Sequence, residues 1–246
     1  MIFAIGDIHG QLEMLLDLHA RIEADAAGRD YRIIHVGDLV DRGANSKAVI
    51  EYLMNGQLAG KPWDVLKGNH DRYVSNFYRT GATTDPDRGT LLSWFDPRMG
   101  GAETLKSFGI DHEDAPFSQR NKIPLEMVEW IEQLPLMIQT ESCVFVHAGI
   151  RPNIAFENQV EQDLIWIRGP VFFDHPKSYG KLIVHGHTIV ESVTHYGNRL
   201  AIDTGAGKFQ ALSCVLIEND AIYKLGKKGR FTITPPEGWS IFGDLS

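Results

Sequence analysis

Cysteine is nearly absent from this chain of 246 residues: only Cys143 and Cys214 occur, each inside a short apolar run. That scarcity excludes a disulfide framework and a cysteine-rich zinc site, and both are expected to be buried free thiols. Long hydrophobic stretches are missing as well. Runs such as Cys143 to Val146 and Leu182 to Val184 are strand-sized, far short of the roughly 20 residues that cross a bilayer. Basic residues are in deficit, 24 Lys and Arg against 32 Asp and Glu. The resulting net charge of −8 argues against holding long nucleic acid by counterion release, which needs a cationic surface. Neither a basic region nor a small-residue cleavage site precedes Gly6-Asp7, so no membrane partner is expected and the cytoplasm is the expected compartment.

What is present has the balance of a globular protein, 43% apolar and 23% charged, and is expected to fold as one domain over residues 1–246. The first 75 residues alternate short apolar strands with helical stretches, an α/β pattern. Met1 to Ile5 reads as a strand, followed by helical spacing through Leu12, Leu15, Leu16 and Ile22. Arg32 to Val36 and Trp63 to Leu66 read as further strands, with a helix over Ser46 to Asn55 between them and Gly56 placed as its C-terminal cap. Such alternation predicts a largely parallel sheet whose ligands gather at the carboxyl ends of its strands. From about residue 80 to 118, Gly81, Pro86, Gly89, Pro97, Gly100 and Gly101 break the periodicity, and an insertion over one rim is expected. Phe77, Tyr78, Trp94 and Phe95 are assigned to core packing in preference to a substrate rim. Leu125 to Gln133 reads as a helix, and the strands Cys143–Val146, Leu182–Val184, Leu200–Ile202 and Ser213–Ile217 imply a second sheet. Residues 226–246 read as a surface-packed extension.

Five segments share one grammar: an apolar strand ends, a glycine permits a tight turn, and Asp, Asn or His stands at the tip. They are Gly6-Asp7-Ile8-His9-Gly10, Gly37-Asp38-Leu39-Val40-Asp41-Arg42-Gly43, Gly68-Asn69-His70-Asp71, Val146-His147-Ala148-Gly149 and His185-Gly186-His187-Thr188. Strands lying side by side would bring Asp7, His9, Asp38, Asn69, His147 and His187 to one sheet edge. Carboxylate, imidazole and amide oxygen together suit Mn²⁺, Fe²⁺ or Zn²⁺ better than Ca²⁺, which takes oxygens only. Each residue also has a plainer reading: a Gly-Asp turn is common, a histidine can be a satisfied core residue, and Asn69 can simply form a turn. His185 fits a place beside the tip and burial against its strand equally well. His19, His35, His112, His175 and His195 lie outside every motif.

Taken in order, GDIHG, GDLVDRG, GNHD, VHAG and HGHT resemble the metallophosphoesterase superfamily over roughly residues 1 to 210. Within it they are similar to the phosphoprotein-phosphatase-like branch, which includes bacterial and phage Ser/Thr phosphatases and diadenosine tetraphosphatases. The resemblance implies an α/β fold of two mixed β-sheets packed as a sandwich and flanked by helices. It also implies two divalent metal ions, Mn²⁺ first and iron or zinc as alternatives. Asp7 and His9 would hold the first metal, Asp38 would bridge both, and Asn69, His147 and His187 would hold the second. His70 would be a general acid oriented by Asp41, while Arg42, Arg168 and Asn69 would bind substrate phosphate. Two departures narrow the match. Asp71 stands where eukaryotic protein phosphatases carry Glu, and Thr188-Ile189 replaces the second histidine of a Gly-His-x-His ending, which favours the phosphatase-like branch.

The implied reaction is hydrolysis by direct attack of a metal-bridging hydroxide, with the pair of metals both neutralising substrate charge and activating water. Arginine suits the phosphate clamp because its planar fork meets phosphate oxygens bidentately. A cationic pocket inside an acidic protein fits a phosphorylated protein or a small phosphorylated or nucleotide substrate. Phosphoprotein (Ser/Thr) phosphatase is the first expectation and dinucleoside polyphosphate hydrolase the second. A catalytically inactive scaffold is the third, and it would be expected to lack some of the residues that are all present here.

Overall fold

The computed structural model describes residues 1–85 and 92–244. Pro86 and Gly89, counted above among the periodicity breakers, lie outside the described residues, as do the last two residues of the tail. Two mixed β-sheets carry helices on their outer faces. The first half of the chain runs β1 (Ile2–Ile5), α1 (Leu12–Ala26), β2 (Arg32–His35), α2 (Ser46–Leu58), β3 (Trp63–Val65) and α3 (Asn69–Thr80), then α4 (Gly101–Ser107) and α5 (Leu125–Gln133). The second half supplies β4 (Met137–Gln139), β5 (Cys143–Val146), α6 (Glu161–Trp166), α7 (Pro170–Phe173), β6 (Leu182–His185), β7 (Thr194–His195) and β8 (Arg199–Ala201). It closes with β9 (Cys214–Glu218), β10 (Ala221–Gly226) and β11 (Gly229–Ile233). Among the described residues no helix is long and apolar enough to cross a membrane.

Strand alternation decides how the layers meet. In β1, Phe3 and Ile5 point to the core shared with α1, α2 and α3, while Ala4 points to the core between the sheets. The same split places Cys214 and Leu216 of β9 on the helix side, with Val215 and Ile217 between the sheets. In β5, Cys143 and Phe145 face the first sheet, whereas Val144 and Val146 face α6 and α7. Because both faces of these strands are covered, their sequences are continuously apolar, without the alternation of a half-exposed strand. Cys143 and Cys214 are buried free thiols.

The six-stranded sheet has the order β11-β10-β9-β1-β2-β3, and the five-stranded sheet β4-β5-β6-β8-β7. β1, β2 and β3 are parallel, but β9, β10 and β11 join antiparallel, which corrects the expectation of a largely parallel sheet. β5, β6 and β8 form a second parallel trio. Each sheet therefore presents three strand ends in one direction, and the polar tips follow those ends.

Gly56 does not cap its helix. It lies inside α2, where a Cβ would come within 1.9 Å of the Trp63 ring, so the missing side chain makes room for an indole from β3. The tail is more than a surface extension: β11 pairs with β10, Trp239 covers Gly197, and Ile241 and Phe242 pack on the core between the sheets. Within 80–118, Phe77's neighbour Trp94 is fully buried and α4 runs against α2. His19 and His35 form a buried pair, Nε2 to Nε2 at 3.0 Å. Burial pushes His35 down to about 4.

Candidate metal centre

The loops after β1, β2, β3, β5 and β6 close on one point. His147 Nδ1 lies 2.9 Å from the carbonyl of Val36 in the opposite sheet, and Gly186 N donates to His147 O at 2.8 Å. His187 N donates to the Asp7 carboxylate at 3.0 Å. The bonds of His147 to Val36 and of His187 to Asp7 tie the two parallel trios together end to end. The turns are strained where they carry polar tips. His9, Asp38, Asp41, Arg42 and His187 all have positive φ, between 47° and 74°, a region that costs a non-glycine residue on the order of 1 kcal/mol or more. Gly186 is required for close approach, since a Cβ there would sit 2.0 Å from Asp7 Oδ1.

Asp38 stands at the centre. Its carboxylate is 3.5 Å from His9 Nε2, 3.3 Å from His147 Nε2 and 4.0 Å from His70 Nε2. Two overlapping groups of donors result, His9–Asp38–His70 and Asp38–His147–His187, with the donor atoms of each within 4.8 Å of one another. Sharing one carboxylate between two such groups is the geometry that a pair of divalent ions needs. Asn69 joins the second group, its amide 3.0 Å from His147 Nε2. Hydrogen bonding alone would turn the amide nitrogen toward His147 and His187, whereas a cation there would select the oxygen. Asp7 falls outside both groups: besides His187 N, its carboxylate meets Asp203.

The protonation states suit cation binding. Burial pushes His9, His147 and His187 below the ordinary imidazole range, which leaves lone pairs available as ligands. His9 Nδ1 donates to Val40 O at 2.8 Å and His147 Nδ1 to Val36 O, so in both rings Nε2 faces the cluster as an acceptor. Burial raises the Asp38 carboxyl, but the imidazoles of His147, His70, His9 and His187 outweigh it and hold the group well below the usual carboxylate range. Burial lifts Asp7 well above that range, with Asp203 and Asp38 adding to the effect. The donor set of the two groups, the shared Asp38 carboxylate with imidazoles and the Asn69 amide, fits borderline divalent ions.

His70 is held differently. Its Nδ1 is 2.5 Å from Asp41 Oδ2. Asp41 in turn accepts from Trp94 Nε1 at 2.9 and 3.0 Å and from Thr104 Oγ1 at 2.6 Å. Arg42 reaches both His9 Nε2, at 2.5 Å, and His70 Nε2, at 3.2 Å. Arg168 donates to His187 Nε2 at 2.7 Å and to its carbonyl at 2.9 Å. Of the sequence-selected residues, Asp38, Arg42, Asn69, His70, Arg168 and His187 line one cavity of about 820 Å³, whose wall is completed by Arg98, Met99, Trp166, Thr188, Ile189 and Lys208.

Sequence reasoning missed several contributors. Asp203 follows β8 and precedes Thr204-Gly205, the same strand, polar residue and glycine grammar repeated a sixth time, and that signal was legible. Asp71 accepts Gly68 N and Leu39 N, both at 2.8 Å, and so clamps two of the tip loops. Trp94 and Thr104 carried no motif. His185 is buried and settled by its partners: Nε2 is 3.3 Å from Arg199 Nη1, and Nδ1 is 3.0 Å from Gly186 O. It braces the strand end behind His187.

Comparison with known proteins agrees with this geometry. Residues 1–211 match the model of the calcineurin-like phosphoesterase family. The chain is 25% identical to bis(5'-nucleosyl)-tetraphosphatase PrpE [asymmetrical] of Bacillus cereus (strain Q1), over 82% of this chain and 84% of that protein. It is 26% identical to the symmetrical bis(5'-nucleosyl)-tetraphosphatase of Cellvibrio japonicus (strain Ueda107), over 85% of this chain and 70% of that one. The fold matches the crystal structure of a cold-active protein-tyrosine phosphatase of a psychrophilic Shewanella species, with a TM-score of 0.64 and 17% identity, over 95% of this chain and 80% of that chain.

Proposed function

The chain belongs to the calcineurin-like phosphoesterase family of metal-dependent phosphoester hydrolases, and from that premise we propose that it cleaves a phosphoanhydride bond of a dinucleoside polyphosphate. The observation that carries this reading is the charge of the cavity wall: Arg42, Arg98, Arg168 and Lys208 all line it. A single phosphoryl group is matched by the two arginines nearest the cluster. Lys208 and Arg98, the latter paired with Asp96 at 2.8 Å, add cations to the wall that suit a chain of phosphates. This reverses the order expected from the motifs, which put phosphoproteins first. The names of the two curated relatives support the reversal.

Asp7, His9, Asp38, Asn69, His147 and His187 would hold two divalent cations, Mn²⁺ being the first candidate. When bound, such a pair neutralises substrate charge and supplies activated water. Around it, Arg42 and Arg168 take the phosphoryl oxygens, with the Asn69 amide beside them. Asp41 orients the His70 ring through Nδ1, so that as an imidazolium it would turn its Nε2–H toward the departing oxygen, and Trp94 and Thr104 keep Asp41 from turning away. That pair supports a second reading, phosphoprotein (Ser/Thr) hydrolysis, because an alkoxide needs a proton on leaving more than a phosphate does.

The discriminating experiment is a panel of diadenosine tetraphosphate, phosphoserine, phosphothreonine and phosphotyrosine peptides and a phosphodiester, each turned over with Mn²⁺. The expected result is a kcat/KM for the dinucleotide at least about ten-fold above any peptide, a difference of about 1.4 kcal/mol in transition-state binding. A phosphoserine peptide in first place would replace this reading by the second.

Arg42 offers a further check. Its donors rest on the nitrogens that a cation at His9 would need, and one lone pair cannot serve both. Arg42→Ala is therefore expected to weaken inhibition by inorganic phosphate about ten-fold or more, the worth of a charged hydrogen bond, without lowering metal affinity measured by calorimetry. An unchanged inhibition constant would confine Arg42 to bracing its turn.

A further inference from the structure

One aromatic side chain near the cavity is not explained by packing. Phe209 is 74% exposed, and its backbone has φ of 60°, the left-handed region that bulky L-residues avoid. The turn that holds it is well made. Phe209 N donates to Ala206 O at 2.9 Å, Gln210 N to Gly205 O at 3.2 Å, and Gly205 N to Asp203 Oδ1 at 2.8 Å. On its inner side the loop leans on the metal cluster, since a Cβ at Gly207 would lie 2.5 Å from His9 Cδ2 and 2.9 Å from Arg42 Cδ. The ring is thus held outward by a loop that the site itself anchors.

Its neighbours say what the ring could meet. Lys208, the preceding residue, lines the cavity together with Ile189. Ile189 is 37% exposed, and its Cγ2 would be 3.4 Å from a Cβ on Gly205, so the two loops touch. A cation and a branched aliphatic side chain therefore share the wall of a phosphate-binding cavity, and the open aromatic face of Phe209 follows that cation directly in the chain. Phosphate answers the lysine, and a flat heteroaromatic ring answers the other two.

We infer that Phe209 and Ile189 form a lip on which the base of a nucleotide stacks while Lys208 holds the phosphate next to it. The inference deepens the polyphosphate reading and rests on it for the order of groups along the substrate. Stacking on an aromatic face is tolerant of base identity, because every base has a π-face. The lip distinguishes nucleotides from bare polyphosphates without choosing among bases.

The test reads inhibition of p-nitrophenyl phosphate hydrolysis by ADP and by pyrophosphate, which carry the same number of phosphates and differ in the nucleoside. In the unaltered protein ADP is expected to inhibit about five-fold or more better than pyrophosphate, the worth of one stacked base. Phe209→Gly removes the ring and also relieves the left-handed backbone, so the fold is not put at risk. It should bring ADP to within about two-fold of pyrophosphate, leaving the pyrophosphate constant in place, and Phe209→Trp should restore the preference. Absence of an ADP preference in the unaltered protein, or equal weakening of both inhibitors by Phe209→Gly, overturns the lip. Diadenosine tetraphosphate turnover is scored separately: its failure would remove the polyphosphate reading while the inhibitor comparison still decides the lip.

Discussion

Replacing Asp38 by Asn lowers turnover by at least about 10³-fold and loosens both halves of the metal site together. The magnitude follows from comparison with a smaller change. Deleting one neutral hydrogen-bond donor to a developing oxyanion costs about 10² to 10³ in rate, and Asp38 is a charged group that both donor clusters share. Asn keeps one oxygen that can still accept His70 N, now 3.0 Å from Asp38 Oδ1, so the β2 and β3 tips stay joined and the fold survives. The loss is electrostatic: four imidazoles face a carboxylate held ionised, and a neutral amide cannot balance two cations in their midst. Equilibrium metal analysis after reconstitution with Mn²⁺ checks it. Two metals in the unaltered protein and fewer than one in Asp38→Asn are expected. Fewer than one already in the unaltered protein would favour an inactive scaffold, and a variant keeping half its activity would contradict the sharing of Asp38.

The second large effect is selective. His70→Asn should cost about 10² to 10⁴ in kcat on alkyl phosphates, the usual worth of general-acid help, and much less on p-nitrophenyl phosphate, whose leaving group departs without a proton. Anhydrides should fall between. The choice of Asn matters, because its amide can still donate to Asp41 where His70 Nδ1 does now, at 2.5 Å. Geometry gives His70 a rival role, since its Nε2 also falls in a donor group with His9 and Asp38. Metal content separates the two. An acid leaves the stoichiometry unchanged when removed, whereas a ligand takes a metal with it. Equal rate losses on alkyl and aryl substrates would argue against proton donation.

Much of this site is legible in the order of residues along the chain. Each polar tip follows an apolar strand and a glycine, and because β1, β2 and β3 run parallel, as do β5, β6 and β8, such tips are delivered to one end. The residues that hold those tips in place are harder to see. Trp94 reaches Asp41 across 53 positions and Thr104 across 63, and both come from a stretch where glycine and proline erase any period. Arg98 and Lys208 look like ordinary surface cations until the cavity wall is traced. Gly56 failed as a cap for a related reason: a local rule gave way to the Trp63 ring, which needs its space.

Sequence alone determined which chemistry the chain can carry, because donor type is a property of side chains and the tip grammar is local. Strand length, layer burial and the alternation of faces were local too, written in apolar spacing at period two. Tertiary structure decided how those donors are shared. It made Asp38 common to two clusters, set Asp7 against Asp203, and brought Trp94 and Thr104 to the carboxylate that His70 meets. It also placed four cations around one cavity. These depend on distances between residues tens to hundreds of positions apart, and such distances exist only once two sheets have packed and buried the surfaces between them.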